Sequence, residues 1–154
     1  MMARVRRACY RLPMFQSQTI VDIATRGPGL YEFTDALLGF VRGSGVGTGL
    51  LTAFCRHTSC SLLIQENADP DVRKDLETFF ERLAPEGLDW VTHTTEGPDD
   101  MPAHIRAALT PTSITIPITR GVPVFGPWQG IYLFEHRAQP HDRQVILHIF
   151  GDGG

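Results

Sequence analysis

The chain has 154 residues, 42% of them hydrophobic and 20% charged, with a formal net charge of -3. That length supports one hydrophobic core, and the composition is far from that of a disordered segment. The negative balance gives no global attraction to nucleic acid or anionic lipid, and no apolar run reaches the ~18 residues that a membrane helix needs.

At the amino terminus, Arg4, Arg6, Arg7 and Arg11 form the one basic cluster, so residues 1–12 read as a loosely ordered, solvated segment. The segment lacks the apolar stretch of a secretory signal. Cys9, Cys55 and Cys60 cannot all pair within one chain and form no CxxC, which fits free thiols in a reducing, cytoplasmic setting.

FQSQTIVDIA, residues 15–24, alternates as a half-buried strand does. Gly27, Pro28 and Gly29 turn the chain into a brief extended LYEF, after which Thr34 or Asp35 caps a short helix through Leu37, Leu38 and Val41. The glycine-rich GSGVGTG, residues 43–49, follows a helix, precedes a strand and supplies no lysine. It therefore reads as a flexible connection and not as a phosphate loop.

Residues 50–67, LLTAFCRHTSCSLLIQEN, read as two strands joined near His57 or as one bent strand. Asp69 followed by Pro70 starts a helix whose apolar stripe is Val72, Leu76, Phe79, Phe80 and Leu83, and Pro85 and Gly87 end it. A polar loop after Trp90 leads into a second short helix that carries Ile105 and Leu109 and stops at Pro111. SITIPI, GVPVFG, GIYLFEHR and RQVILHIF then follow as antiparallel strands. Several are apolar on both faces, as in strands covered by a second layer on one side and by helices or another subunit on the other. The expected fold is α+β: a single domain over residues 1–154, an antiparallel meander or two-sheet sandwich with inserted helices.

HTTEGPDDMPAHI, residues 93–105, concentrates the polar chemistry. Asp100 stands where a helix cap belongs, and His104, four positions on, shares its side of the first turn. A carboxylate so placed fixes the tautomer of a histidine that binds metal or moves a proton. Gly97 lets His93 fold back toward His104, and His57 is the third candidate, so three imidazoles can leave one open position on Zn²⁺. The competing readings are a solvent-facing capping loop and a hydrogen-bonded core histidine at His57. Cys55, His57 and Cys60 form at best a weak zinc half-site, the thiols being better small apolar fillers. His148 reads as a core residue, His141 as solvated, and His136 stays open. Trp128 either packs the core or, beside Gln129, stacks on a flat heterocycle. Glu135 and Arg143 pair an acid with a base, and a partly buried Arg143 can clamp phosphate.

Taken in order, HTSCSL, QENADPDVRKDLETFFERLAP, HTTEGPDDMPAHI, WQGIYLFEHR and RQVILHIFGD resemble the YjbQ-like family, also known as secondary thiamine-phosphate synthases, from about Phe15 to Asp152. The resemblance implies a jelly-roll-like antiparallel sandwich with inserted helices, usually a homotrimer. It places the polar positions on His57, Glu66, Asn67, His93, Glu96, Asp100, His104, Trp128, Gln129, Glu135 and Arg143. Where relatives carry Gly-Thr-Trp-Gln, this chain has Gly126-Pro127-Trp128-Gln129, and the turn at residues 138–142 lacks the usual glycines.

The implied reaction joins a pyrimidine pyrophosphate to a thiazole phosphate and must stabilise charge on departing pyrophosphate. Glu96, Asp99 and Asp100 can help hold Mg²⁺, whereas the histidines favour Zn²⁺. The combined expectation is a weak, secondary activity in which His57, His93 and His104 hold a divalent metal. In it, Asp100 orients His104, Glu96 or Glu135 moves protons, and Asn67, Trp128, Gln129 and Arg143 bind a small phosphorylated molecule. The alternative is a non-catalytic trimer that binds such a molecule or a metal. Neither needs nucleic acid or a membrane.

Overall fold

The computed structural model describes residues 14–153. The amino-terminal segment expected to be loosely ordered, with its arginine cluster, therefore lies outside the described residues. In chain order the elements are β1 (Met14–Ala24), β2 (Gly29–Glu32), α1 (Thr34–Ser44), β3 (Val46–Cys55), β4 (Cys60–Glu66), α2 (Pro70–Leu83), α3 (Asp100–Leu109), β5 (Ser113–Thr119), β6 (Val122–Pro123), β7 (Gln129–Glu135) and β8 (Asp142–Gly153). They build an α+β domain with two sheets: β1-β8-β3-β5-β6 and β2-β7-β4, every pairing antiparallel.

Alternation makes the larger sheet two-faced. Leu51, Ala53 and Cys55 on β3 and Val145, Leu147 and Ile149 on β8 point into one core, where Cys60, Leu62, Ile131 and Leu133 of the smaller sheet meet them. Leu37 and Val41 of α1 close that core. The segment 50–67 is two strands, and they belong to different sheets. The linker 56–59 is thus a crossing between layers, and it carries His57. No described helix is long and apolar enough to cross a membrane.

Four local expectations need correction. Neither Thr34 nor Asp35 caps α1: the cap position is Phe33, with no side-chain hydrogen bond, and Thr34 Oγ1 instead donates to Glu32 and accepts from the Ile131 N–H. Asp69 does cap α2, accepting from Asp71 N at 2.9 Å. The stripe on α2 buries none of its residues fully, and Phe79 and Leu83 are exposed. Residues 43–49 are no flexible connection, since only Gly45 (φ 73°) turns the chain and the strand begins at Val46. Gly49 faces Gly151 across the β3–β8 ladder, where a Cβ would fall 2.2 Å from the Phe150 carbonyl oxygen. Close backbone approach, not freedom, requires glycine there. Finally, His148 lies between buried Leu147 and Ile149, so alternation turns it to the outer face instead of the core.

Candidate metal centre

Asp100 is the first residue of α3 rather than its cap, and Asp99 occupies the cap position without capping through its side chain. Both acids are used elsewhere because the chain after β7 brings Arg137 across the start of α3. The Arg137 guanidinium donates from Nε to Asp99 Oδ2 at 2.9 Å, from Nη1 to Asp100 Oδ1, and from Nη2 to the Glu96 carbonyl at 2.8 Å. Ala138 N adds a second donor to Asp99 Oδ2. Burial pushes the Asp99 carboxyl up, but the Ala138 N–H and Arg137 outweigh it and leave it below the usual range.

Asp100 is 1% exposed. With Oδ1 held by Arg137, Oδ2 faces two imidazoles: His93 Nε2 at 2.7 Å and His104 Nε2 at 3.4 Å. The i,i+4 spacing supplies His104, and the loop through Gly97 (φ 111°) returns His93, so the two rings stand 5.6 Å apart, centroid to centroid. One ligand atom from each of His93, Asp100 and His104 lies within 4.8 Å of the others. His104 Nδ1 lies 3.0 Å from the Thr58 carbonyl, an acceptor only, so Nδ1 carries the hydrogen. His104 Nε2 faces Asp100 Oδ2 across 3.4 Å, a pair that a second ring proton or a cation can join. Two imidazoles plus a carboxylate at this spacing suit a borderline divalent ion.

The other expected site residues fall elsewhere. His57 stands outside the cluster: its Nε2 accepts from Gln144 N at 2.9 Å, which occupies a nitrogen that a metal would need. Burial, then Arg143, lowers its pKa and keeps it neutral, with the hydrogen on Nδ1. Glu96 is near the centre but largely exposed, its carboxylate 4.0 Å from Arg137.

Glu135 (0% exposed) and Arg143 (5%) are neither a proton shuttle nor an open phosphate clamp. Arg143 Nε and Nη2 each donate to Glu135 at 2.6 Å, a fork joining the two sheets, and Nη2 also reaches Ser59 Oγ. Burial raises the Glu135 carboxyl, yet Arg143, the Arg137 N–H and Thr25 more than offset it, so the group stays ionised below its ordinary range.

Asn67, Trp128 and Gln129 sit at the opposite end of the smaller sheet. Glu66 pairs with Gln129 at one end of the β4–β7 ladder and Cys60 with Glu135 at the other. Six residue steps along a strand are roughly 20 Å. Trp128 is exposed and not packed in the core, its carbonyl accepts from Asn67 N, and Gln129 Oε1 is taken up by Gly126 N. The polar candidates thus divide between two ends instead of sharing one pocket. Cys55 and Cys60 are buried free thiols with sulfurs 3.2 Å apart, outside the ligand group.

Sequence reasoning overlooked Arg137 and Thr58. The adjacent acids Asp99 and Asp100 were the available signal for Arg137, because two neighbouring carboxylates call for a cation; nothing in the sequence marks the Thr58 carbonyl.

A family model, UPF0047 protein YjbQ-like, matches residues 19–152. The chain belongs to the YjbQ-like family. A UPF0047 protein of Synechocystis is 56% identical over 137 residues, covering 89% of this chain and 93% of that one. The YjbQ protein of Escherichia coli O157:H7 is 38% identical over 136 residues, 88% and 98% of the two chains. Among solved structures, a YjbQ/UPF0047 protein of Clostridium acetobutylicum superposes with a TM-score of 0.79 at 34% identity, covering 85% of this chain and 98% of that one. Membership in the YjbQ-like family accounts for the two antiparallel sheets and the inserted helices.

Proposed function

We propose that this YjbQ-like chain is a small cytoplasmic enzyme whose His93, Asp100 and His104 hold a divalent metal, Zn²⁺ in preference to Mg²⁺, and which acts on a small phosphorylated molecule. The observation that carries the reading is the cluster itself: one ligand atom from each of His93, Asp100 and His104 lies within 4.8 Å of the others. Thr58 orients the His104 ring, and Arg137 orients the Asp100 carboxylate. A bound divalent ion supplies Lewis acidity toward a phosphoryl oxygen. Glu96, with its carboxylate open to solvent, is the acid placed to exchange protons at the rim.

In its most specific form the reading is a weak, secondary thiamine-phosphate synthase, joining a pyrimidine pyrophosphate to a thiazole phosphate. Its support is the resemblance of the sequence blocks. A weak activity suits a chain whose interior Arg143 is committed to Glu135 and so offers no fork to departing pyrophosphate. We propose also that the working form is a homotrimer, supported by the apolar rows that the larger sheet leaves uncovered on its outer face.

Elemental analysis of the purified protein tests the centre: about one zinc per chain is expected, and His104→Ala removes it. Turnover of the two thiamine precursors tests the chemistry. A rate in the wild type that falls at least ~100-fold in Asp100→Ala supports the enzyme, whereas equal background rates in both proteins leave a metal-binding module without catalysis.

A further inference from the structure

Beside the candidate centre, sharing His104 with it, lies a pair of adjoining hollows free of acidic side chains. A hollow of about 280 Å³ is bounded by His104, His57, Thr58 and Thr112, and it adjoins a wider, shallow hollow of about 620 Å³ through the shared His57, Thr58 and Thr112. Arg56 stands on the wider one, and Phe54 and Ile146 give it an apolar floor.

Two of the polar groups here, His57 Nδ1 and Arg56, are free to donate. His57 accepts the Gln144 N–H on Nε2, so its Nδ1 carries a hydrogen and has no hydrogen-bond partner among the described residues. Arg56 is exposed and enters no salt bridge among the described residues. Thr58 and Thr112 add two hydroxyls. No carboxylate lines either hollow, although the chain carries 17 acids against 14 Lys and Arg. By contrast, the cavity between α2 and α3 is walled by Glu77, Glu81, Glu86, Asp99 and Glu135. An acid-free, donor-rich hollow in an acidic protein selects for an anion, and an arginine fork with flanking hydroxyls matches phosphate.

We infer that the hollow running from His104 past His57 to Arg56 is the recognition site for the phosphate group of a phosphate monoester with an apolar or planar body, bound by Arg56 and the His57 Nδ1–H. This deepens the reading above and rests on it for the neighbouring centre. His57 becomes a binding donor in place of a metal ligand, and Arg56 becomes a specificity residue that the motifs do not point to. The body of the ester rests on Phe54 and Ile146, with the phosphate against Arg56 and His57.

Phenyl phosphate is the probe, with phenol as its uncharged counterpart, titrated calorimetrically into the assembled, zinc-supplemented protein. Phenyl phosphate is expected to bind at least about ten-fold more tightly than phenol. Arg56→Ala, an exposed substitution that leaves the fold intact, should abolish most of that difference, and Arg56→Lys should recover part of it. His57→Gln should weaken phenyl phosphate and not phenol. Equal affinity for both compounds, or phenyl phosphate affinity indifferent to Arg56→Ala, overturns the inference. Zinc content of the same samples separates the two claims: phosphate binding without zinc removes the metal reading and keeps the hollow, and zinc without phosphate binding does the reverse.

Discussion

His136 shows how far a single side chain can be read. Thr110 Oγ1 lies 2.7 Å from the Arg106 carbonyl and 2.6 Å from Ser61 Oγ, which in turn lies 2.9 Å from His136 Nε2. Thr110 Oγ1 donates toward the Arg106 carbonyl and Ser61 Oγ, and Ser61 Oγ shares the next hydrogen with His136 Nε2. Nδ1 is left buried and without a partner. Burial, followed by Arg106, holds the ring at a pKa of about 3. The unfolded chain, with an ordinary histidine near 6.5, then binds the proton that the folded chain refuses between pH 6.5 and 3, so stability falls as pH falls through that window. At ~1.4 kcal/mol per pKa unit the loss is on the order of 5 kcal/mol. His57, lowered for similar reasons, adds to it, and Glu135, whose pKa is depressed, contributes only below about 4.5. Urea midpoints measured at pH 7, 6 and 5 should therefore decline, and His136→Gln should remove most of the slope. An unchanged slope in that variant would refute the assignment.

At the scale of elements, the β3–β8 pairing rests on a contact that composition disguises. Gly49→Ala would force a methyl against the Phe150 carbonyl and Gly151 Cα of β8. The variant should lose about 2–3 kcal/mol, seen as a lower urea midpoint at unchanged slope. A loss near the ~1 kcal/mol expected of an ordinary exposed strand position would show that the ladder relaxes. The same position explains what could be read in advance. α2 was legible because Asp69 and Pro70 are adjacent in sequence, and β1 because alternation is local. The glycines of 43–49 were misread because what demands Gly49 is a strand from the far end of the chain. The centre divides along the same line: His93, Asp100 and His104 lie within twelve residues and were visible together, whereas Arg137 acts only once β7 ends beside α3. Arg137→Ala should cost about 3 kcal/mol, because it leaves the buried Asp100 without its cation, and should weaken zinc binding as Asp100 reorients. Full zinc retention in a destabilised variant would limit Arg137 to a structural role.

For the whole molecule, the decisive feature is the face of the larger sheet that its helices leave open. In register across three strands, Ile20, Ile146 and Phe54 form one outward row, and Phe150 with Leu50 and Pro117 forms another. Ile20, Leu50, Phe54 and Phe150 are among the exposed large hydrophobics, while α2 packs on β2 and α3 on β4, in or beside the smaller sheet. Rows of this kind, apolar behind a core that is already complete, are more than a solitary domain leaves in water. The proposed trimer buries the row of Phe150, Leu50 and Pro117 and leaves the Phe54–Ile146 row at its rim. It would thereby bring a neighbouring copy to the edge of the Arg56 hollow, whose floor Phe54 and Ile146 form. Light scattering should give three times the 17.1 kDa chain mass, with a melting temperature that rises with protein concentration. Leu50→Asp, at a position 37% exposed in the single chain, should reduce the mass to that of one chain while leaving the circular dichroism of the sheets in place. A wild-type protein that stays monomeric at every concentration would mean that some other surface covers these rows, and it would detach the hollow from any neighbouring copy.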